Sequence, residues 1–214
     1  MPLLKIFHPT TDSQIGIWKI SESSSELSAM LPHEILNDDL FSLISAPSRR
    51  KEFLAVRCLL QKMTDSSLRI AYNNRKPILI NDKRRISISH SKDFATIALL
   101  PEYNTSAIDI ECFSGRALRI AEKFLSCSEL QFIQSSSNPD FFATLFWSIK
   151  ESVFKSMDDG CYDFRSHITI HTDTFPSSLN GTCTASESCS HNKTLFHVQY
   201  WKSHHFILTF ASPL

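Results

Sequence analysis

Two acidic residues that share one face of a predicted strand are the first feature of the sequence that could do chemistry. Apolar and acidic residues alternate in the segment 107–111. Because successive side chains of a strand point to opposite faces, Asp109 and Glu111 share one side, while Ile108 and Ile110 are buried on the other. Two neighbouring carboxylates repel each other unless a cation lies between them, and hard oxygen ligands suit Mg²⁺. The pair predicts either a divalent-cation site or a solvated strand edge.

A second group of polar residues lies on a predicted helix around residue 150. Helical periodicity places Glu151 and Lys155 one turn apart on the polar side, with Trp147 one turn before Glu151. The two are either part of a site or an ordinary surface ion pair, which stabilises by only about a few tenths of a kcal/mol. Lys150 lies inside the apolar arc, so its ammonium must either reach outward to solvent or find a buried carboxylate. The apolar stripe consists of Phe146, Ile149, Val153 and Met157.

The N-terminal half carries a Ser/His pair and several basic clusters. Residues 86–91 form a predicted strand that runs into a turn at Ser89-His90, but the sequence lacks the GxSxG motif of serine hydrolases. Each basic cluster is either a solvated charge run or part of a local phosphate pocket. The clusters are Arg49-Arg50-Lys51 with Arg57, then Lys76-Pro77, then Lys83-Arg84-Arg85.

The composition excludes several classes of function. The chain has 214 residues, with 22 basic and 22 acidic side chains and a formal net charge of zero. Zero net charge argues against broad nucleic-acid binding, which needs a basic stripe. Only 4 glycines occur, which rules out glycine-rich phosphate loops. The apolar runs are far shorter than the roughly 20 residues of a membrane span.

The remaining composition predicts a cytoplasmic protein with reduced cysteines. The N-terminus lacks the basic region and the long apolar region of a secretory signal. The six cysteines have irregular spacings and form no CxxC, so we expect thiols rather than disulfides. The segment 175–193 is rich in Ser, Thr, Asn and Gly, and it predicts a mobile surface loop.

Helix and strand patterns alternate along the chain and indicate a faint internal repeat. The apolar pattern of helix 53–63 matches that of helix 147–157, and the closing strand 94–101 matches 206–213. A shorter acidic-apolar helix precedes each long helix. The sequence therefore predicts an α+β fold of two similar halves, 1–101 and 102–214, with a cleft between them where a ligand site would lie.

Together these segments resemble the 4'-phosphopantetheinyl transferase superfamily, and specifically its surfactin-synthetase-activating (Sfp-type) branch. The shared motifs lie in the family's order between residues 49 and 157. Ala107 stands where the family usually has Gly, and residues after about 171 carry no motif. The motifs are the basic helix Arg50–Arg57, Lys76-Pro77, the strand Ser87–Ser91, Ile108–Glu111, the F-x-S-x-x-E segment Phe124–Glu129, and W-x-x-K-E-x-x-x-K at Trp147–Lys155.

The resemblance implies a particular architecture and a set of site residues. The two halves would be related by a pseudo-twofold, and coenzyme A would bind in the cleft between them with Mg²⁺ on its pyrophosphate. Three carboxylates would ligand the metal: Asp109, Glu111 and Glu151. The 3'-phosphoadenosine end would be held by Arg50, Lys76, Ser89 and His90, and the pyrophosphate by Lys155, with Asp109 also placed at coenzyme A through the metal. The catalytic residues would be Glu151, Lys155 and Glu129, with Glu129 or Glu151 accepting the proton of the acceptor serine.

The activity that the resemblance implies is that of a holo-acyl-carrier-protein synthase type phosphopantetheinyl transferase. Such an enzyme moves the 4'-phosphopantetheine moiety of coenzyme A to a serine of an apo acyl carrier or peptidyl carrier protein and releases 3',5'-ADP. Phosphoryl transfer mostly needs positioning and charge neutralisation, so the lack of a covalent nucleophile does not count against it.

Two other functions are compatible with parts of the pattern. A non-catalytic module that binds coenzyme A or a carrier protein would keep Ser89-His90, but it could lose the three carboxylates, and all three are present. A metal-dependent nuclease would generally place its Lys two residues after the acid on a strand, whereas Lys155 follows Glu151 by four residues on a helix.

Overall fold

The chain divides into two compact units, residues 1–104 and 105–214. The computed structural model describes residues 3–36, 39–64, 68–74, 76–157, 163–175, 180–189 and 193–214. The predicted halves, 1–101 and 102–214, divide the chain slightly earlier than this. Each unit contains one antiparallel sheet and one helix of 18 residues. The α+β class predicted from the sequence is therefore confirmed, and the pseudo-twofold stays a prediction.

In its described residues, the first unit consists of a six-stranded antiparallel sheet and four helices. Its strands lie in the order β1-β2-β6-β5-β4-β3. The long helix α4 packs on β2 and β6. The elements are β1 (Leu3–Thr10), β2 (Ser13–Lys19), α1 (Ser24–Ala29), α2 (His33–Leu36), α3 (Asp39–Ser42), α4 (Pro47–Thr64), β3 (Arg69–Asn73), β4 (Lys76–Ile80), β5 (Arg85–Ser91) and β6 (Phe94–Leu100).

The second unit is a five-stranded antiparallel sheet with five helices among the residues that the structure describes. Its strands lie in the order β7-β11-β10-β9-β8, so β7 and β8 are the two edges. A 3-10 turn at Thr172–Thr174 follows β8. The elements are β7 (Ala107–Cys112), α5 (Arg116–Arg119), α6 (Ala121–Phe124), α7 (Cys127–Ser135), α8 (Pro139–Ser156), α9 (Phe164–His167), β8 (Ile168–His171), β9 (Gly181–Glu187), β10 (Thr194–Lys202) and β11 (Phe206–Pro213).

Local sequence explains where α8 begins and how it packs. Asn138 accepts a hydrogen bond from the backbone N–H of Phe141, and Pro139 occupies the first turn, where its missing N–H costs nothing. The predicted apolar stripe is buried: Phe146, Ile149 and Val153 have no exposed surface. This stripe packs on β7 and β11, so α8 lies directly over the edge strand that carries the two carboxylates.

Two predictions about the chain are wrong. The segment 175–193 was expected to be a loop, yet β9 lies within it, between β8 and β10, and buries Cys183 and Ala185. Cross-strand pairing with β10 holds this strand together although Ser and Thr dominate its sequence. The expectation of reduced thiols fails at Cys189, which is disulfide-bonded. The thiols of Cys58, Cys112, Cys127 and Cys183 are free.

No helix in the described parts of the chain is long and apolar enough to span a membrane.

Gly16 marks the closest approach of β2 to α4, and it gives a prediction about stability. A Cβ at residue 16 would lie 2.5 Å from Met63 Sδ and 2.9 Å from Leu59 Cδ1. Gly16→Ala should therefore lower the free energy of unfolding by about 1–3 kcal/mol, the usual cost of overpacking a core. Urea denaturation would measure it.

A second substitution tests the cause of that loss. Met63→Ala removes the sulfur that the new methyl group would meet, so the Gly16→Ala, Met63→Ala double variant should lose less stability than the sum of the two single variants. Strictly additive losses would show that the contact with Met63 is not the cause.

Candidate active site

The candidate site is built on β7 and on the face of α8 that lies over it. Asp109 is buried, with 3% of its surface exposed, and Glu111, two residues later, is half-buried. Ile108 and Ile110 are fully buried, as the alternation predicts. Since α8 covers β7, Asp109 is not a residue of a solvated strand edge, which was one of the two alternatives for this pair.

An ion pair joins the two elements of the site. Lys155 Nζ on α8 lies 2.7 Å from Asp109 Oδ1 on β7, and it also lies 3.5 Å from the carbonyl oxygen of Ile108. The sequence pattern had placed Lys155 beside Glu151, its neighbour one helical turn away. In the structure the ammonium reaches across to the strand instead, where the buried carboxylate makes the stronger partner.

A neutral donor holds the second carboxylate. The indole Nε1 of Trp147 donates a hydrogen bond to Glu111 Oε1 at 2.9 Å. The indole ring itself packs edge-on against Phe124, with 5.0 Å between ring centroids, and at 5.7 Å from Phe164. The sequence pattern placed Trp147 one helical turn before Glu151, and nothing in it indicated the contact of Trp147 with Glu111.

Glu151 is the third carboxylate of the group. Burial first, and the negative charge of Asp109 second, raise the pKa of Glu151 to about 7; Lys155 acts in the opposite direction, and Glu111 adds a smaller rise. The three carboxylates are therefore close enough to repel one another. At neutral pH the side chain of Glu151 is divided between its acid and its base form, which is typical of a functional carboxylate.

The donor set has the right chemistry for a magnesium ion. Three carboxylates that repel one another are relieved by a divalent cation, and Mg²⁺ prefers oxygen ligands. In the described ranges, however, no three His, Cys, Asp or Glu side chains converge where they could hold a metal ion. The reason lies in the contacts above: Asp109 faces Lys155 and Glu111 faces Trp147. The three carboxylates suit Mg²⁺ as ligands, and their side chains would have to rotate to converge on one ion.

Lys150 takes the second of its two predicted alternatives, a buried carboxylate. Its side chain has no exposed surface, and Nζ donates to Glu129 Oε2 at 2.8 Å, to the carbonyl oxygen of Phe164 at 2.8 Å and to that of Ile168 at 2.7 Å. All the donors of an ammonium group are thus used. Burial lowers the pKa of Lys150, and the charge of Glu129 opposes that shift.

Both carboxylate oxygens of Glu129 accept hydrogen bonds that hold the second unit together. Only 1% of the residue is exposed. Oε2 also accepts the backbone N–H of Ser126 at 2.8 Å, which completes the capping box of α7, and Oε1 accepts the N–H of Ile170 at 2.9 Å. Lys150 and Glu129 therefore both bond to the backbone of the edge strand β8, Lys150 at the carbonyl of Ile168 and Glu129 at the N–H of Ile170.

The predicted coenzyme A residues of the first unit lie on α4, β4 and β5. Arg50 donates to the carbonyl oxygen of Ile44 at 3.2 Å and stacks over the ring of Phe41. Lys76 is the first residue of β4, and Ser89 is buried within β5. The sequence predicted a turn at Ser89-His90, whereas in the structure His90 lies within β5.

His90 belongs to a small polar cluster that sequence spacing did not indicate. Its Nδ1 lies 3.4 Å from Glu52 Oε2, and its Nε2 lies 3.2 Å from a guanidinium nitrogen of Arg49. Arg49 in turn pairs with Glu52 at 3.1 Å. His90 of β5 thereby contacts the first turns of α4. It lies 41 positions from Arg49 along the chain.

The fold and the site of the second unit define an α+β domain with clustered carboxylates and a lysine, which suits transfer of a phosphoryl group. Comparison with known families agrees: residues 107–211 match the model of the 4'-phosphopantetheinyl transferase superfamily. The matched residues extend from the start of β7 into β11, so this part of the chain is similar to that superfamily. No curated protein matches the chain. The assignment to the Sfp-type branch stays a prediction.

The buried pair gives a prediction about stability. Lys150→Met keeps much of the side-chain volume but leaves the Glu129 carboxylate buried without its counter-charge. We expect the free energy of unfolding to fall by about 3–5 kcal/mol, measured by urea denaturation. Lys123→Met, on the exposed side of α6, is the matched control and should change stability by about 0.5 kcal/mol or less. A loss below about 1 kcal/mol in Lys150→Met would contradict this role.

Glu151 gives a prediction about pH. Its carboxyl holds its proton up to about pH 7 in the folded protein, against a usual pKa of 4.5. Between pH 4.5 and about pH 7 the folded state binds more protons than the unfolded state. The free energy of unfolding therefore falls as pH rises through this window. In metal-free buffer at pH 8, Glu151→Gln should be more stable than the wild type by at least about 1 kcal/mol, and this advantage should shrink towards pH 5.

Thermal denaturation across this pH range would measure the effect. Glu122→Gln, an exposed substitution on α6, should show no such dependence on pH. An equal difference between Glu151→Gln and wild type at pH 5 and pH 8 would show that Glu151 does not titrate in this window.

Proposed function

We propose that the protein transfers the 4'-phosphopantetheine moiety of coenzyme A to a serine of an apo acyl carrier or peptidyl carrier protein, with Mg²⁺, and releases 3',5'-ADP. The superfamily domain at residues 107–211 supports phosphopantetheinyl transfer in general. The observation that carries the proposal is the Asp109–Lys155 pair between β7 and α8, with Glu111 and Glu151 beside it. This group combines the negative charge that binds a cation with a cation that binds phosphate.

Each residue of the group has a proposed role in the transfer. Asp109, Glu111 and Glu151 would hold Mg²⁺, which when bound supplies positive charge to the pyrophosphate oxygens. Lys155 leaves Asp109 for the pyrophosphate and neutralises negative charge there as the phosphoanhydride bond breaks. Its side chain is 28% exposed, so the ammonium is accessible from solvent for that movement.

The acceptor serine must lose a proton as its oxygen attacks phosphorus. We assign that proton to Glu151, which is half-buried and lies within electrostatic reach of Asp109 and Lys155. Glu129, the other residue considered, is 1% exposed, and both of its oxygens already accept hydrogen bonds. In the balanced step, the serine oxygen–phosphorus bond forms, the phosphoanhydride bond breaks, 3',5'-ADP leaves, and Glu151 holds the serine proton.

The 3'-phosphoadenosine end of coenzyme A is assigned to Arg50, Lys76, Ser89 and His90 of the first unit. Arg50 and Lys76 carry charges that suit a phosphate, and His90 lies beside the guanidinium of Arg49, which would add a further cation. This assignment rests on the sequence motifs together with the local contacts within the first unit.

Intact-mass measurement of candidate carriers tests the proposal. The protein is incubated with apo acyl carrier or peptidyl carrier proteins, coenzyme A and Mg²⁺, and each carrier is weighed. Asp109→Asn and Glu151→Gln should each lower turnover by at least about 10²-fold. By calorimetry both should bind coenzyme A within about tenfold of wild type, or 1.4 kcal/mol. Glu122→Gln is the control and should keep full turnover.

The possible outcomes separate the competing functions. Coenzyme A binding without modification of any carrier would favour the non-catalytic binding module. Transfer that is undiminished by excess EDTA would reject the metal. If Glu151→Gln turned over normally, its assignment as the base would be wrong.

A further inference from the structure

A small cavity lies beside the candidate site, at the end of β7. Its volume is about 90 Å³, and it is bounded by the end of β7, the short helix α5 and the first half of α8. Glu111 and Trp147 form the part of its lining that belongs to the candidate site. The residue roles proposed above do not involve this cavity, although it borders one of the three carboxylates.

The lining of the cavity changes from buried, small residues to exposed, polar ones. Cys112, Ala117 and Thr144 line it and are each 9% exposed or less. The exposed lining residues Ser114 and Arg116 both carry side-chain hydrogen-bond donors. A compact, branched group of mainly apolar atoms therefore fits inside, and hydrogen-bonding atoms next to that group would lie at the opening.

The volume limits what the cavity can hold. A cavity of about 150 Å³ in a protein core takes up benzene, a molecule of six carbon atoms. By the same measure, the cavity beside Glu111 holds a group of about four or five carbon-sized atoms. An adenine ring is too large for it, and so is the whole pantetheine chain. Only one short section of a long ligand can therefore enter.

The distance of the cavity from Lys155 selects one section of coenzyme A. Lys155, assigned above to the pyrophosphate, contacts Asp109, which precedes Glu111 by two residues on β7. Two residues of a strand span about 7 Å, so the cavity begins about that far from the phosphate. In coenzyme A, one methylene separates the phosphate oxygen from a quaternary carbon with two methyl groups, and a hydroxyl and an amide follow. This pantoyl group has the reach, the size and the order of apolar and polar atoms that the cavity requires.

We propose that the cavity between β7, α5 and α8 binds the two geminal methyl groups of the pantoyl section of coenzyme A. This inference rests on the proposed function, because it takes the pyrophosphate at Lys155 as its fixed point. The methyl groups fill the buried part of the cavity beside Ala117. Ser114 and Arg116 at the opening donate hydrogen bonds to the hydroxyl and the amide carbonyl that follow. The cavity thereby distinguishes coenzyme A from nucleotides that lack the pantetheine chain.

A change in the ligand provides the first test. Calorimetry compares coenzyme A with an analogue in which hydrogen replaces both geminal methyl groups, each titrated into the wild-type protein with Mg²⁺ present. Burial of two methyl groups favours binding, so the analogue should bind about tenfold more weakly than coenzyme A. Equal affinities of the two ligands would overturn the inference. Because no residue is changed, this result does not depend on the folding of a variant.

Ala117→Leu tests whether the methyl groups occupy this particular cavity. The added carbons fill its buried part, so coenzyme A should bind at least about tenfold more weakly than to the wild type. The affinity for 3',5'-ADP, which has no pantoyl group, should stay within about twofold. Coenzyme A and the analogue without methyl groups should bind this variant equally. Leu118→Ala, an exposed change on the same helix, is the control and should alter none of these affinities. Thermal denaturation checks that Ala117→Leu is folded, and Ala117→Val is the smaller substitution that replaces it if it is not.

Failure of this inference is distinguishable from failure of the proposed function. If the wild type modifies a carrier but binds coenzyme A and the analogue equally, the transferase proposal stands and the role of the cavity is rejected. If Ala117→Leu keeps its affinity for coenzyme A and instead raises the KM for the carrier, a side chain of the carrier occupies the cavity, and the inference is overturned. An equal loss of affinity for coenzyme A and 3',5'-ADP would show a distorted site and would also overturn it. If the wild type binds no coenzyme A, the proposed function itself fails, and the inference fails with it.

Discussion

The buried ammonium of Lys150 is the interaction on which the rest of the second unit depends. An isolated charge inside a protein is costly, and here three acceptors from separate elements compensate it: the carboxylate of α7, a carbonyl of α9 and a carbonyl of β8. Because Lys150 must bond to all three acceptors, the rotation of α8 about its own axis is fixed. At about 100° per residue, Glu151 and Lys155 then lie about 100° and 140° around the helix from Lys150, where β7 is within their reach.

The charge balance of the site follows from that placement. The ammonium of Lys155 pairs with Asp109 and also acts electrostatically on Glu151. Folding buries Glu151 and brings it near Asp109 and Glu111, so burial first and charge repulsion second raise the pKa of Glu151. The first unit differs in this respect, because Arg49, Glu52 and His90 form a mixed cluster in which opposite charges face each other. These like charges lie within the matched residues 107–211.

Periodicity predicted the elements better than their contacts. The apolar stripe and the Asn-Pro start of α8 are local signals, and so is the alternation along β7. The angle of Lys150 left two alternatives, solvent or a buried carboxylate, and the choice of Glu129, which lies 21 residues away, depends on how α7 folds back. Lys155 was paired with its helical neighbour, whereas its partner Asp109 is 46 residues away. Strand β9 was missed because its Ser- and Thr-rich sequence indicates a loop, and pairing with β10 on one side and β8 on the other makes it a strand.

The side chains bound to β8 also affect how this sheet meets other molecules. An outermost strand normally offers unused backbone groups to which another chain can add, and such additions begin aggregation. Here the carbonyl of Ile168 is bonded to Lys150 and the amide of Ile170 to Glu129. A strand arriving from another molecule would find both groups engaged, and it would have to displace a buried ion pair to bond to them. The same pair that orients the helix thus hinders the addition of another strand to this edge of the sheet.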